Sequence, residues 1–253
     1  MPTREQYITE LKKQLLYDLK KQKRSGIYGF TQRSMAYNSN RIEGSTLTER
    51  QTASIFETGT IEGENNVLYR TKDIEEMTGH FRMFNYTLHH LNEPLSIEII
   101  KQMHYNLKVG VFEDMTNGYP CGEFKNRINV VSTLTTTLPQ DVPKRMDELI
   151  QTYNEIKEPT LKDLAWFHAT YEHIHPFQDG NGRTGRMILF KESLNHNLIP
   201  VIIQDPNKAE YARNLYQAQV NKDLKGLTEY FKKEQEFYFD QTKNMVLPYN
   251  IPL

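Results

Sequence analysis

His175, Asp179, Arg183 and Arg186 fall inside one run, His-Pro-Phe-Gln-Asp-Gly-Asn-Gly-Arg-Thr-Gly-Arg, at positions 175–186. An imidazole is a base whose ordinary pKa lies near ~6.5. A carboxylate just ahead of glycines suits a magnesium ion that bridges phosphates. Gly180 and Gly182 bracket Asn181 and let the backbone come close to a ligand. Where a helix begins at such a place, its first N–H groups are unpaired donors at the positive end of the dipole. Arg183 and Arg186 stand three apart on one helical face, although basic residues oppose the dipole at that end. An anion explains them better than helix stability does, and a polyphosphate suits two guanidinium forks. Each part alone is an ordinary loop feature; the conjunction points to chemistry. A metal pair of His173 and His175 would suit a strand, where alternate residues share a face, and the period here is helical.

The elements around the run must hold it still. Leu161, Leu164, Phe167, Tyr171 and Ile174 recur every three or four residues, which predicts a helix ending where Pro176 forces the preceding residue out of the αR region. Met187, Phe190 and Leu194 restart the helical period beyond the glycines. Upstream, residues 3–21 open on a capping-box pattern, Thr3 with Gln6, and carry Ile8, Leu11, Leu15 and Leu19 on one face. Residues 28–43 suit a helix closed by Gly44, and a short helix follows Thr48. Residues 71–90 and 96–107 read as two more, the second opened by Ser96, and the tail offers a pair at about 206–220 and 223–245. Residues 122–139 differ: they are rich in β-branched side chains, bounded by Gly and Pro, and read as a β-hairpin. The expectation is a mainly α fold with one small hairpin.

Bulk composition narrows the functions available. The chain has 253 residues, 38% hydrophobic and 25% charged, and a formal charge of -1, which gives no global attraction to nucleic acid or an anionic membrane. A phosphate site must therefore be local. A single cysteine, Cys121, excludes an intrachain disulfide and a Cys-rich zinc site. No apolar run reaches membrane-spanning length, and the N-terminal stretch is charged and amphipathic rather than a signal peptide, so the expected location is the cytoplasm. No Gly-Lys-Ser/Thr follows a glycine-rich run, which excludes a P-loop enzyme.

The run at 175–186 resembles the complete active-site motif of the Fic family, with no departure at a defining position. The resemblance covers roughly residues 71–230 and implies a Fic-fold helical bundle with a β-hairpin flap. It divides the chain into an N-terminal helical region at 1–70, a Fic domain at 71–230 and a C-terminal helix end and tail at 231–253. It implies an adenylyltransferase that moves AMP from ATP, with Mg2+, to a Ser, Thr or Tyr hydroxyl of a target protein, the chain itself among the candidate targets. His175 is then the general base. Asp179 holds Mg2+, and Gly180, Asn181, Gly182, Arg183, Thr184, Gly185 and Arg186 form the phosphate cradle, with Arg183 and Arg186 on the β- and γ-phosphates and an Asn181 side-chain donor. Phe177 fixes the loop from the core. Val131, Ser132, Thr133 and Leu134 form the nucleotide-facing part of the flap, which aligns the target by strand addition. Tyr211 and Gln219 stand on the family's adenine-side helix, where helix packing is the competing explanation. A homo-oligomer is compatible with this resemblance, and no nucleic-acid or membrane partner is implied.

Ser39-Asn-Arg-Ile-Glu43-Gly44 resembles the inhibitory motif that some Fic enzymes carry ahead of the domain, the class II arrangement. Ser39 and Glu43 share a helix face four residues apart. The resemblance implies that Glu43 pairs with Arg186 and takes the place of the γ-phosphate. Transfer of another phosphate-containing group, removal of AMP with Glu43 activating water, or a non-catalytic nucleotide-binding module are the other readings. Intact His175 and Asp179 speak against the last, and Gly182 with Arg186 favours AMP as the group moved.

Overall fold

A computed structural model describes residues 3–61, 63, 68–131 and 134–246. Among them are eleven α-helices: α1 (Arg4–Lys20), α2 (Ile27–Ile42), α3 (Glu49–Thr58), α4 (Thr71–His89), α5 (Ile97–Lys108), α6 (Phe112–Asn117), α7 (Val142–Asn154), α8 (Leu161–Ile174), α9 (Asn181–Asn195), α10 (Lys208–Val220) and α11 (Lys225–Val246). The mainly α expectation holds. Helices α6 and α7 have no counterpart in the sequence reading; α6, six residues long, gives too short a window for a 3.6-residue period to register.

Local signals start the helices where expected. The Thr3 hydroxyl accepts from Gln6 N–H while the Gln6 side chain accepts from Thr3 N–H, and Thr48 with Gln51 and Thr160 with Asp163 form the same reciprocal cap. In α1, Ile8, Leu11, Leu15 and Leu19 are all buried, and in α8 so are Leu164, Phe167, Tyr171 and Ile174. Such stripes bind each helix to the core. Helix α9 lies inside the bundle, packed by α2, α4, α5 and α8, and Met187, Ile188, Leu189 and Phe190 are buried in succession around it. All-round burial lets the start of α9 act as a fixed reference for the site.

The hairpin is far shorter than the sequence implies. Its ladder pairs only Val130 with Thr135 and Val131 with Leu134, antiparallel, and most of residues 122–139 is irregular. The reason lies at its base, where polar groups turn toward the motif loop instead of across a ladder. Lys125 N–H donates to Pro176 O at 2.9 Å, and Asn129 Nδ2 donates to Phe177 O at 3.1 Å. Lys125 Nζ donates to Asn129 Oδ1 and Thr136 Oγ1, both at 2.7 Å. Of the four residues expected to face nucleotide, Ser132 and Thr133 lie outside the described residues, and Val131 and Leu134 form the two halves of one ladder pair. Helix α11 continues unbroken through position 230.

Candidate active site

His175 is the last residue held by α8, with φ 53° and ψ 62° and its N–H donating to Tyr171 O at 2.9 Å. Left-handed backbone is unusual for a residue with a Cβ and is held here by the helix before it and Pro176 after it. Phe177 is fully buried and stacks on His104 at 3.8 Å between ring centroids. Its N–H donates to Asn181 Oδ1 and its carbonyl accepts from Asn181 Nδ2, both at 2.8 Å. The side chain of Asn181 therefore closes the loop on itself, and what it can offer a phosphate is its backbone N–H.

Gly180 precedes α9 at φ 82°, a conformation that needs glycine, and no side chain caps the helix. Its first N–H groups have no partner within the helix and are donors for an anion. Asp179 stands ahead of them with one carboxylate oxygen accepting from Gly180 N–H at 2.7 Å. Thr184 and Gly185 turn the other way. Thr184 is fully buried, and a Cβ at Gly185 would strike Glu172 Oε1.

The two arginines are buried, and each is already paired. Arg186 donates from Nη2 to Glu43 Oε1 at 2.6 Å, from Nε to Ser39 Oγ at 2.9 Å and from Nη2 to Ser39 O at 3.1 Å. Glu43 caps α2, Gly44 follows it, and its carboxylate sits against the first turn of α9 so closely that a Cβ on Gly182 would collide with Oε1. Arg183 is ion-paired with Glu76, lies 3.5 Å from Asp179 Oδ1, and reaches Asn40 Oδ1 at 3.4 Å. Beside these groups, Glu43, Arg70, Lys72, Glu76 and Phe112 line a cleft of about 430 Å³.

Burial and these charges set the protonation states. Burial pushes His175 down to about 4, helped by the charge of Lys125, so the ring is neutral at pH 7 and free to accept a proton. Burial would raise Asp179, but Arg183 and Lys108 outweigh it and hold the carboxyl well below its usual range. Burial would lower Arg186, and Glu43 reverses that to keep it charged. Glu172, buried behind Gly185, is raised to about 8 by burial, against the opposing pull of Arg186.

Asp179 is the residue a magnesium ion would use. Its side chain is 32% exposed, and oxygen is the donor such an ion prefers. Among the described residues no group of three His, Cys, Asp or Glu is arranged to hold a metal unaided, so an ion here would lean on phosphate oxygens for the rest of its shell. That fits Mg2+, which is commonly held by one or two carboxylates plus substrate phosphates.

Tyr211 and Gln219 are not brought to one surface. Tyr211 is buried with its hydroxyl 2.7 Å from His168 Nε2, whereas Gln219 lines a separate cleft of about 250 Å³ with Trp166, Thr170 and His173. Residues that the sequence reading passed over matter more. His104 accepts from Gly122 N–H on Nδ1, which leaves the proton on Nε2 to donate to Asp179 O at 2.9 Å. Lys108 and Glu76 surround Asp179, and Lys125 anchors the hairpin. Their sequence signal was slight: charged residues inside amphipathic helices read as solvated faces.

Residues 94–191 match the Fic/DOC family. The protein adenylyltransferase Fic of Nematostella vectensis is 29% identical over 188 residues, 72% of this chain and 42% of its own. The protein adenylyltransferase fic-1 of Caenorhabditis elegans is 28% identical over 207 residues, 79% of this chain and 39% of its own. The chain thus spans about two fifths of the length of these curated relatives. A Fic domain containing signaling protein from Bacteroides thetaiotaomicron has the same fold, with TM-score 0.77 at 23% identity over 99% of this chain and 100% of that one. Residues 94–191 thus carry a Fic domain, and the chain has the fold of Fic proteins.

Proposed function

We propose that this protein transfers AMP from ATP to a hydroxyl of a target protein and that Glu43 restrains the reaction in cis. The best support is a carboxylate already lodged at an uncapped helix N-terminus, on a buried guanidinium, where a terminal phosphate would bind. The site selects for an anion even at rest. The relatives named as protein adenylyltransferases supply the group to be moved.

In this reading His175, neutral and fixed at the end of α8, takes the proton of the incoming hydroxyl as it attacks the α-phosphorus, and pyrophosphate leaves. The N–H groups of Asn181 and Gly182 cradle phosphate oxygens, Gly180, whose N–H serves Asp179, sets the turn, and Arg186 receives the terminal phosphate once Glu43 withdraws. Arg183 holds Glu76 and Asp179 in register. Mg2+ at Asp179 would supply charge neutralisation to the phosphates. The hairpin around Val131 and Leu134 is the flap that lines up the target backbone. The first 70 residues then act as the regulatory part, 71–230 as the transferase and 231–253 as the end of the last helix and tail.

The test is label transfer. With Glu43→Gly protein, Mg2+ and a cell lysate, α-labelled ATP labels protein and γ-labelled ATP does not, and adding His175→Ala abolishes the label. Label that survives His175→Ala removes His175 as the base. Label from the γ-position redefines the group transferred, and no label from either overturns the reading.

A further inference from the structure

Lys108, the last residue of α5, is a buried lysine with three carboxylates on its ammonium. Nζ lies 2.6 Å from Glu76 and 2.7 Å from each of Asp114 and Asp179. Nζ donates hydrogen bonds to Glu76 Oε1 and Asp179 Oδ2, and Asp114 Oδ2 stands beside it at ion-pair distance. Glu76 comes from α4, Asp114 from α6 and Asp179 from the motif loop, and Lys108 therefore ties three elements at one point. Two of the three carboxylates are closed to solvent; Asp179, 32% exposed, is the open one. Lys72 approaches the same Asp179 oxygen at 3.7 Å while also pairing with Glu113.

A buried ion cluster is a poor device for stability alone, because desolvation offsets most of its attraction and apolar side chains of equal volume do as well. What the cluster does provide is control of charge at Asp179. We propose that Lys108 is a positioning residue of the phosphate site: its ammonium, shared among Glu76, Asp114 and Asp179, sets how strongly Asp179 can hold a divalent ion. This rests on the transferase reading only in taking Asp179 as the carboxylate that meets the metal. An ion arriving at Asp179 competes with Lys108 for one oxygen. Glu76 and Asp114 weaken that competition by dividing the attraction of the ammonium three ways.

The arrangement makes two substitutions act in opposite directions. Asp114→Asn leaves Lys108 with two carboxylates, tightens its hold on Asp179 and weakens metal binding. Lys108→Met frees Asp179 and strengthens it. General damage to the fold would weaken binding in both. The measurement is a Mn2+ titration of the full chain, followed by the paramagnetic signal of free ion, with Mn2+ alone and with Mn2+ plus a non-hydrolysable ATP analogue. Relative to the parent, the Mn2+ dissociation constant rises roughly fivefold in Asp114→Asn and falls roughly tenfold in Lys108→Met, as expected for moving one neighbouring charge in a partly buried site. Constants that stay put, or move together, in folded protein overturn the proposal. Where Lys108→Met does not fold, Asp114→Asn decides alone, since an unchanged constant there overturns it equally. Absence of AMP transfer in any variant would count against the transferase reading and leave the Mn2+ comparison intact.

Discussion

Replacing Glu43 with glycine removes one carboxylate from Arg186 and nothing else from the motif. The lost contact is a charge-assisted hydrogen bond at 2.6 Å. Such bonds contribute about 1.5–3 kcal/mol when buried. The Glu43 side chain is 33% exposed, so solvent screening brings the expected value to about 1–2 kcal/mol. If Glu43 and a terminal phosphate compete for Arg186, the variant binds a non-hydrolysable ATP analogue roughly 5- to 30-fold more tightly, at 1.4 kcal/mol per tenfold. Label transfer from α-labelled ATP rises further, on the order of a hundredfold, because a correctly seated triphosphate also aligns the reacting phosphorus. Without nucleotide the variant is less stable by a similar ~1–2 kcal/mol, since Arg186 keeps Ser39 and Tyr211 but no paired carboxylate, and melts a few degrees lower. The analogue restores the melting temperature. Calorimetric titration and thermal melting read these two quantities independently. A variant that binds the analogue no more tightly than the parent and labels no better refutes the competition, whatever its melting temperature.

Other expectations concern the scaffold of the site. His80, His104 and His168 are held down to about 3 and His175 to about 4, chiefly by burial, against 6.5 when unfolded. Unfolding therefore takes up protons below pH 6.5, and stability present above that value is lost as the pH falls toward 4. Glu172, raised to about 8, has the opposite slope but is one group against four. The net loss between pH 6.5 and 4.5 is on the order of 5 kcal/mol, and a melting temperature constant over that interval would show the histidines to be open to solvent. Asn181→Ala strips two hydrogen bonds from Phe177 and should cost about 2–3 kcal/mol, visible as reduced denaturant midpoint; a change under about 0.5 kcal/mol would deny the clamp. Lys125→Met unties Asn129 and Thr136, so limited proteolysis within 122–139 should quicken severalfold while the helices resist; equal cleavage of parent and variant would contradict its anchoring role.

The sequence was legible where side chains act through their neighbours in the chain. The caps at Thr3 and Ser96, the short helix after Thr48, the α8 stripe and the glycine-led start of α9 are such local effects, and all are found in the structure. Ser39 and Glu43, 147 and 143 positions from Arg186, were legible only because a family pattern linked them. Lys108 could not be read, since Glu76, Asp114 and Asp179 meet it at separations of 32, 6 and 71 residues and no local pattern records such a meeting. The hairpin failed for a related reason. Its β-branched composition is real, but Lys125 and Asn129 direct their hydrogen bonds to Pro176, Phe177 and Thr136, and long-range partners override strand propensity.

Two buried guanidinium groups at one helix start impose a condition on any mechanism. Each is paired with a carboxylate at rest, Arg183 with Glu76 and Arg186 with Glu43, because a buried charge left unpaired is costly. On the proposed function, nucleotide binding is then an exchange of anions rather than an addition. Arg183 is tied to Glu76, whose side chain is 9% exposed and set within α4, and that pair has no room to open. Glu43 is more exposed and lies at the end of α2 with Gly44 after it, so it can swing out without unwinding a helical turn. On that reading the moving part is the end of α2, and Ser39, which accepts from Arg186 through both its hydroxyl and its carbonyl, keeps the guanidinium aimed while its anion changes. Ser39→Ala should accordingly blunt the gain that Glu43→Gly brings in analogue affinity by about threefold, a loss near 0.7 kcal/mol for one shared hydrogen bond. An undiminished gain in the double variant would mean that Arg186 is aimed by its packing alone.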